Sequence, residues 1–342
     1  MRCIVTPHER SNYGTGGLQV GYDTIGLSFP LTPERMEQIN QKLIKKSAVD
    51  NATAEQLYEF FVGDLEGSFD NRISLRYRGD ELCIEASVAK IKNGHNCFDT
   101  PQDWLASVEL LVGVVHAEFG YIADVTQWNV RRIDYALMHN LGAKGVSEYL
   151  ASLSLADFSR RKCHSYGDGV YYPSRAYTLK LYCKHTEYKK NSFKKLENRF
   201  PELAHEAYIK SSGKLRTEVE IRRQKLKYDF GHYPKVAEIT NEYVKGVFNM
   251  VVRKLVKGGD INTMREVERV LRNKRAVYST WCVLSTLGET YAKKVIPRTT
   301  LYTHKRYLKE HGITWLGSNV SIKERIVPAD FMPLEGDLRL VI

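Results

Sequence analysis

The chain contains no run of about 18 consecutive apolar residues, so nothing in it reads as a membrane-spanning helix. Its opening stretch, MRCIVTPHERSNYGTGGLQVGY, lacks the apolar segment of a secretory leader, and a cytoplasmic protein is expected. Six cysteines are present (Cys3, Cys83, Cys97, Cys163, Cys183 and Cys282), and none forms a C-x-x-C pair. Neither a zinc knuckle nor a disulfide framework is therefore indicated, and most of these thiols read as small core residues. Internal repeats and low-complexity tracts are also missing. What remains is a 342-residue chain, 43% hydrophobic and 11% aromatic, with the composition of a globular protein and length enough for two or three domains.

Charge is the first positive signal. The net charge is +11, from 51 basic and 40 acidic residues. Between Arg160 and Lys235 there are 19 Lys/Arg against 8 Asp/Glu, so that stretch alone carries the excess and the rest of the chain is balanced. A concentrated basic region suits a polyanion, because each neutralised phosphate releases condensed counterions. A solvated lysine-rich helix over YKKNSFKKLENRF is the plainer alternative.

Along the chain, YDTIGLSF reads as a first strand after a glycine-containing arm. TPERMEQINQKLIKK follows as a helix, with Thr32 at the N-cap and Pro33 at the first helical position. RISLRYR and ELCIEAS, split by Gly79-Asp80, predict a hairpin. TPQDWLASVELLVGVVHAEFG repeats the Thr-Pro helix start at Thr100 and Pro101. QWNVRRIDYAL, YTLKLYC and KLRTEVEIRR read as strands, with GVSEYLASL as a short helix and a basic helical stretch between the last two strands. Beyond Tyr233 the strand signals stop; Val277, Trp281 and Leu284 share a helix face, and PRTTLYTHKRYLKEHGI predicts a last helix from Thr299 to Gly312. The expected fold class is α+β: an antiparallel-sheet domain followed by a helical C-terminal domain.

Side chains alternate between the faces of a strand, so the polar face can be read by parity. Ile133, Tyr135 and Leu137 share one face and Arg132 and Asp134 the other. Tyr177, Leu179, Leu181 and Cys183 oppose Lys180, Tyr182 and Lys184. Leu215, Thr217, Val219 and Ile221 oppose Arg216, Glu218, Glu220 and Arg222. If the three strands adjoin, one face collects Asp134, Tyr182, Glu218 and Glu220 within a rim of arginine and lysine. Carboxylates in such a group are hard ligands for Mg²⁺ or Mn²⁺, and such an ion polarises a phosphate oxygen. A tyrosine with its ordinary pKa near ~10 needs a metal or a nearby cation to become a nucleophile, and Lys184 is placed to supply one or to protonate a leaving oxygen. A half-exposed sheet with a polar solvent face is the other reading.

Four segments, IEASVAKIKNGHNCFDT, VRRIDYAL, SRAYTLKLYCKHTEY and LRTEVEIRR, together with the C-terminal PRTTLYTHKRYLKEHGI, resemble the replication initiators of filamentous bacteriophages, the gene II type and its relatives in the cholera-toxin phage group. The resemblance implies a rolling-circle initiator of phage or plasmid replication. Such a protein is a DNA endonuclease that nicks one origin strand, joins itself to the 5′ phosphate through tyrosine, and later recloses the displaced circle. It implies Tyr182 as nucleophile and Asp134 and Glu218 as metal-binding positions, with the choice between Glu218 and Glu220 open. The wider group of rolling-circle nucleases often uses a His-hydrophobic-His metal motif; no H-x-H occurs here, so the carboxylates, with His95, would have to serve. Implied partners are double-stranded origin DNA, single-stranded DNA, and a host helicase, single-strand binding protein and polymerase in a bacterial cytoplasm.

The expected site therefore comprises Tyr182, Lys184 and Glu187 for catalysis and Asp134, Glu218 and His95 for the metal. Arg131, Arg132, Arg175, Lys180 and Arg216 are expected phosphate contacts, as are Arg298, Lys305 and Arg306 on a helix-turn-helix-like C-terminal segment. The expected boundaries are an arm over 1–21, a nicking and joining nuclease domain over 22–232, and the helical domain over 233–342. A non-catalytic, sequence-specific DNA-binding regulator using the same basic surface is the alternative.

Overall fold

The computed structural model describes residues 20–49, 56–66, 69, 71–78, 80–154, 163–166, 168–255 and 264–315; residues 1–19 of the arm and 316–342 lie outside them. The strands are β1 (Val20–Pro30), β2 (Ile44–Val49), β3 (Gln56–Glu66), β4 (Arg72–Arg78), β5 (Glu81–Ser87), β6 (Asn129–Asn140), β7 (His164–Ser165), β8 (Gly169–Tyr172), β9 (Tyr177–Cys183) and β10 (Lys214–Arg222). They form one sheet in the order β2-β3-β4-β5-β1-β6-β10-β9-β8-β7, with every neighbouring pair antiparallel. The helices are α1 (Pro33–Asn40), α2 (Val88–Asn93), α3 (Trp104–Phe119), α4 (Gly142–Ser154), α5 (Lys184–Tyr188), α6 (Lys194–Glu197), α7 (Pro201–Ser211) and α8 (Arg223–Phe230). They continue with α9 (Asn241–Leu255), α10 (Met264–Val270), α11 (Arg275–Val295) and α12 (Arg298–Glu310). The α+β class, the antiparallel sheet and the helical C-terminal region are as expected from sequence.

The apolar face of the sheet carries the main core. Ile133, Tyr135 and Leu137 of β6, Leu179 and Leu181 of β9, and Leu215, Val219 and Ile221 of β10 are all buried there, which is the parity read from sequence. Aromatic contacts link this face to the helices: Tyr22 to Trp104 of α3 at 5.5 Å, Tyr22 to Tyr135 at 5.2 Å, and Tyr135 to Phe248 of α9 at 5.5 Å. Asn241 fastens the same corner, its Oδ1 accepting from Tyr22 Oη at 2.7 Å and from the Trp104 amide at 2.9 Å.

Two register shifts in the β1–β6 pair matter for the polar face. Val130 and Ile133 are both fully buried although their parities differ, because the pairing skips a residue between Gly26↔Arg132 and Leu27↔Val130. Such a skip directs Arg131 and Arg132 both away from the core. A second skip, between Tyr22↔Tyr135 and Ile25↔Ile133, does the same for Asp23.

Several expectations are corrected. The first helix stops at Asn40, although Thr32 Oγ1 does accept from the Arg35 amide at 3.4 Å. Ile44, Lys45 and Lys46 instead pair with Val62, Phe61 and Phe60, because strand pairing overrides the helix preference of the lysines. Thr100-Pro101 is no helix start: the Pro101 carbonyl accepts from the Tyr22 amide at 2.8 Å, and α3 begins behind Asp103, whose Oδ1 accepts from the Ala106 amide at 2.9 Å. The last helix starts at Arg298 behind Pro297 rather than behind Thr299, and Gly312, with φ 65°, follows its end. The hairpin across residues 79–80 forms, with Arg78 opposite Glu81.

The main core also runs past residue 233, since Val244, Val247, Phe248, Val251 and Val252 of α9 belong to it. A separate core unites Val267 and Leu271 with Val277, Trp281 and Leu284 of α11 and Leu301 and Leu308 of α12. Inside α11 the backbone breaks at Gly288 (φ 80°, ψ 169°), and Trp281 Nε1 donates to the Thr314 carbonyl at 2.9 Å.

The seat of Thr100-Pro101 on β1 gives a direct test. A Cβ at Gly21 would lie 2.4 Å from both the Pro101 carbonyl oxygen and Thr100 Oγ1. Gly21→Ala is expected to destabilise the protein by about 1–3 kcal/mol through overpacking. A chemical-denaturation midpoint unchanged from wild type would contradict this close approach.

Candidate active site

The sheet order makes β10 the centre of the polar face, between β6 and β9. The register sets Glu220 opposite Asp134, Glu218 opposite Lys180, and Arg216 opposite Tyr182. The three strands therefore adjoin; Glu218 faces a cation across the β9–β10 pair, whereas the β6–β10 pair sets Glu220 opposite Asp134 and Arg222 opposite Arg132.

Lys180 is the hub. Its Nζ lies 2.9 Å from Glu218 Oε1, 2.9 Å from Glu220 Oε2 and 3.4 Å from Asp134 Oδ2. Arg132 grips both oxygens of Asp134 at 2.7 Å each and reaches Glu85 at 2.7 Å. Arg222 Nε donates to Glu220 Oε1 at 2.6 Å. Behind this group Tyr182 Oη donates to Glu218 Oε2 at 2.9 Å, and the same oxygen accepts from Arg216 Nε at 3.2 Å. Arg216 is completely buried; its Nη1 donates to the Asn96 carbonyl at 2.7 Å. Its Nη2 lies 2.8 Å from Asp23 Oδ2, an ion pair that lacks hydrogen-bond alignment. Asp23 also accepts from Ser87 Oγ at 2.6 Å and from Asn96 Nδ2 at 3.0 Å.

Beyond Tyr182 the chain turns into the single turn of α5. Lys184, also fully buried, donates to Asn96 Oδ1 at 2.6 Å and pairs with Glu187 Oε2 at 2.5 Å. Its Nζ is 5.9 Å from the centre of the Tyr182 ring. The short helix thus folds Glu187 back towards the tyrosine.

Electrostatics follow from burial set against these pairs. Burial pushes the Asp134 carboxyl up to about 7, with the bidentate Arg132 and then Lys180 opposing it. Burial works against charge on Glu218 too, yet Lys180, Arg216 and its hydrogen bonds hold that carboxyl well below the usual range. Among the three carboxyls the upward shift falls on Asp134, and because neighbouring carboxylates titrate together it belongs to the cluster as a whole. Burial raises the Tyr182 phenol well above its ordinary value, with Arg216 opposing and Glu218 adding to the shift. The tyrosine is a protonated hydrogen-bond donor in this arrangement, and it is only 8% exposed.

Of the expected catalytic residues, Tyr182, Lys184 and Glu187 are brought together. Asp134 and Glu218 share the hub, and Glu220 joins them. His95 does not: its Nδ1 accepts from the Cys97 amide at 3.4 Å, its ring lies 4.1 Å from that of Phe98, and burial followed by Lys184 lowers its pKa to about 4. No group of three or more His, Cys, Asp or Glu side chains is arranged to hold a metal among the described residues. The place between the carboxylates is taken by the Lys180 ammonium, so the donor set as arranged does not fit a divalent ion.

The expected phosphate contacts divide. Arg216 serves Asp23 and Glu218 from within the protein and faces no solvent, because burial leaves it only carboxylate and carbonyl partners. Arg132 and Lys180 are engaged by the carboxylates, and Arg131 by Glu81 at 2.9 Å. Arg175 is exposed. On α12, Arg298 and Arg306 are exposed, whereas Lys305 turns inward to Glu289 at 2.6 Å and to the Trp315 ring at 5.1 Å. Tyr188, at the end of α5, is fully buried and its hydroxyl donates to the Ala204 carbonyl at 3.3 Å. Sequence reasoning missed Asp23 and Asn96; Asp23 was visible only as a lone acid in an apolar strand, YDTIGLSF.

The raised Asp134 carboxyl has a measurable consequence. Between the unfolded carboxyl value near ~4 and the folded value of about 7, the native state holds a proton that the unfolded chain has lost. Asp134 thus lowers stability as pH rises through that window, by up to about 1.4 kcal/mol per pH unit. Asp134→Asn is expected to flatten this part of the stability–pH curve; an unchanged slope would show that Asp134 is ionised throughout.

Among curated proteins the chain has no significant match. Residues 22–242, more than half of the chain and all of the polar face described above, match the N-terminal family model of the phage gene II-type replication-associated protein. The chain belongs to that family of gene II-type replication-associated proteins.

Proposed function

We propose that the protein initiates rolling-circle DNA replication by nicking one strand of an origin with Tyr182 and later rejoining it. The observation that carries this reading is the Tyr182 Oη to Glu218 Oε2 hydrogen bond of 2.9 Å, buried within the family-matched segment and flanked by Lys184. A surface tyrosine needs no such setting, and strongly shifted groups converging in one place mark a reaction centre.

The step is a transesterification. The Tyr182 phenol, oriented by its hydrogen bond to Glu218, releases its proton to solvent, and the phenolate oxygen attacks phosphorus in line with the 3′-oxygen. The P–O3′ bond breaks as the bond from tyrosine to phosphorus forms, leaving a 5′-phosphotyrosyl protein and a 3′-oxygen that is protonated by solvent. Lys184 offsets the charge on the phenolate, held in place by Asn96 and Glu187. In joining, a 3′-hydroxyl gives its proton to solvent and attacks the same phosphorus; the P–O bond to tyrosine breaks, and the departing phenolate takes a proton from solvent and resumes its hydrogen bond to Glu218. The free 3′ end would prime a host polymerase, while a helicase and single-strand binding protein handle the displaced strand. Exposed Arg175, Arg298 and Arg306 are proposed contacts to the duplex backbone. No helix among the described residues is long and apolar enough to cross a membrane.

The test is cleavage of supercoiled DNA carrying the cognate origin, with Mg²⁺ or Mn²⁺ supplied. Wild type should leave protein covalently attached to the 5′ end, and Tyr182→Phe should abolish both nick and adduct. Nicking that survives the substitution would remove Tyr182 from the reaction. Specific binding without a nick in wild type would leave a DNA-binding regulator.

Mg²⁺ or Mn²⁺ enters the proposal as the competitor of Lys180 for the same oxygens. Lys180→Met leaves Asp134, Glu218 and Glu220 without their shared ammonium, a loss expected to cost about 3–5 kcal/mol. Mn²⁺ should then restore much of the variant's thermal stability while hardly moving wild type. An equal response of both proteins to Mn²⁺ would mean that Lys180 does not hold the ion's place.

A further inference from the structure

Next to the reaction centre lies a second cleft with a cavity volume of about 520 Å³. Its walls come from Glu66, Phe69, Asn71 and Arg72, the end of α2, and the stretch from Asn191 to Arg199. Two rare backbone features meet here. Phe69 has φ 56°, a left-handed conformation that is strained for a bulky side chain and that concentrates at functional sites. Residues Lys189–Phe193 form a π-helical turn between α5 and α6, another feature that recurs at functional sites, and it carries Asn191 and Ser192 to the cleft wall.

The lining has a consistent chemistry. Among the described residues, Arg72, Lys90, Lys195 and Arg199 contribute four cationic side chains against the carboxylate of Glu66. Asn71, Asn191 and Asn198 add carboxamides, which offer both a donor and an acceptor. The floor is apolar, made by Leu196 and the half-buried Phe69, whose ring meets Phe200 at 5.1 Å. Gly94 lets them close together, since a Cβ there would lie 3.0–3.1 Å from both Phe69 and Leu196. Cations for a phosphate, amides for a base edge and an aromatic ring for stacking are the parts of a nucleotide site. The cleft is also wired to the reaction centre: Asn191 Nδ2 donates to Glu187 Oε1 at 3.3 Å, and Glu187 pairs with Lys184 beside Tyr182. Lys90 Nζ donates to Ser192 Oγ at 3.0 Å, joining α2 to the π turn across the cleft.

We propose that this cleft binds one nucleotide unit, base and phosphate together, of the DNA strand flanking the phosphodiester that Tyr182 attacks. The inference rests on the replication reading for its source of nucleotide, and a free mononucleotide is the other source of the same chemistry.

Binding is measured by fluorescence anisotropy of a labelled single-stranded oligonucleotide of about 12 nucleotides. The full chain carries Tyr182→Phe throughout, so that covalent capture cannot contribute and the outcome does not depend on nicking. Lys195→Gln combined with Arg199→Gln should weaken binding about tenfold or more. The equal charge change Lys45→Gln with Lys46→Gln, on exposed lysines of β2, should weaken it no more than about threefold through counterion release alone. Phe69→Leu, which keeps apolar bulk but removes the ring, should also weaken binding, with circular dichroism showing that the fold is kept. Displacement of the oligonucleotide by millimolar deoxyadenosine monophosphate would support the site with a free nucleotide as sufficient ligand. Cleft-specific weakening without displacement would support it with the strand as ligand. Equal weakening by the two double variants, or none by either, would overturn the proposal.

Discussion

The arrangement of the polar face depends on one electrostatic constraint: three carboxylates on neighbouring strands must be kept from repelling one another. Glu220 stands directly opposite Asp134 in the ladder, and Glu218 is two residues away on the same face. Like charges so placed destabilise a sheet, and buried ions without partners cost several kcal/mol each. The sequence meets this by interleaving cations at the alternate positions Arg132, Lys180, Arg216 and Arg222, so that each carboxylate touches at least two of them or, for Asp23, one cation and two neutral donors. The tyrosine hydroxyl is hydrogen-bonded into this lattice at Glu218. Fold stability and the state of the tyrosine are thus properties of the same set of charges.

Much of this was legible from sequence because it depends on period-two alternation within single strands. The apolar and polar faces of β6, β9 and β10 follow from counting residues. What was hidden depends on non-local geometry. Asp23 escaped notice because a register shift interrupts the alternation of β1, and Asn96 because it acts from a loop held by its own backbone carbonyl on Arg216. Arg216 and Lys180 were read as phosphate contacts because charge is visible in a sequence and burial is not. The strand β2 was lost inside a helical pattern, since LIKK satisfies either period over so short a stretch.

Helices α5 to α7 give the polar face its cover. A small apolar cluster of Cys97, Tyr188 and Ala207, with Phe98, Phe193 and Tyr208 packed against it, binds these helices to the loop that carries His95 and Asn96. His185 is part of the same packing, its Nδ1 within 3.1 Å of both the Tyr208 carbonyl and Ser211 Oγ. In the run KHTEY, therefore, two residues face the tyrosine and two anchor the helix that brings them there. This run is one turn of helix with a chemical side and a structural side.

Asn241 sits at the end of the family-matched region, yet its amide fixes Tyr22 and the start of α3, and the helix that follows it supplies Phe248 and Val251 to the main core. The main core that backs the polar face accordingly runs past the family-matched segment, as far as Val252. Cutting at residue 242 would strip Tyr135, the core-side neighbour of Asp134, of its aromatic partner on α9.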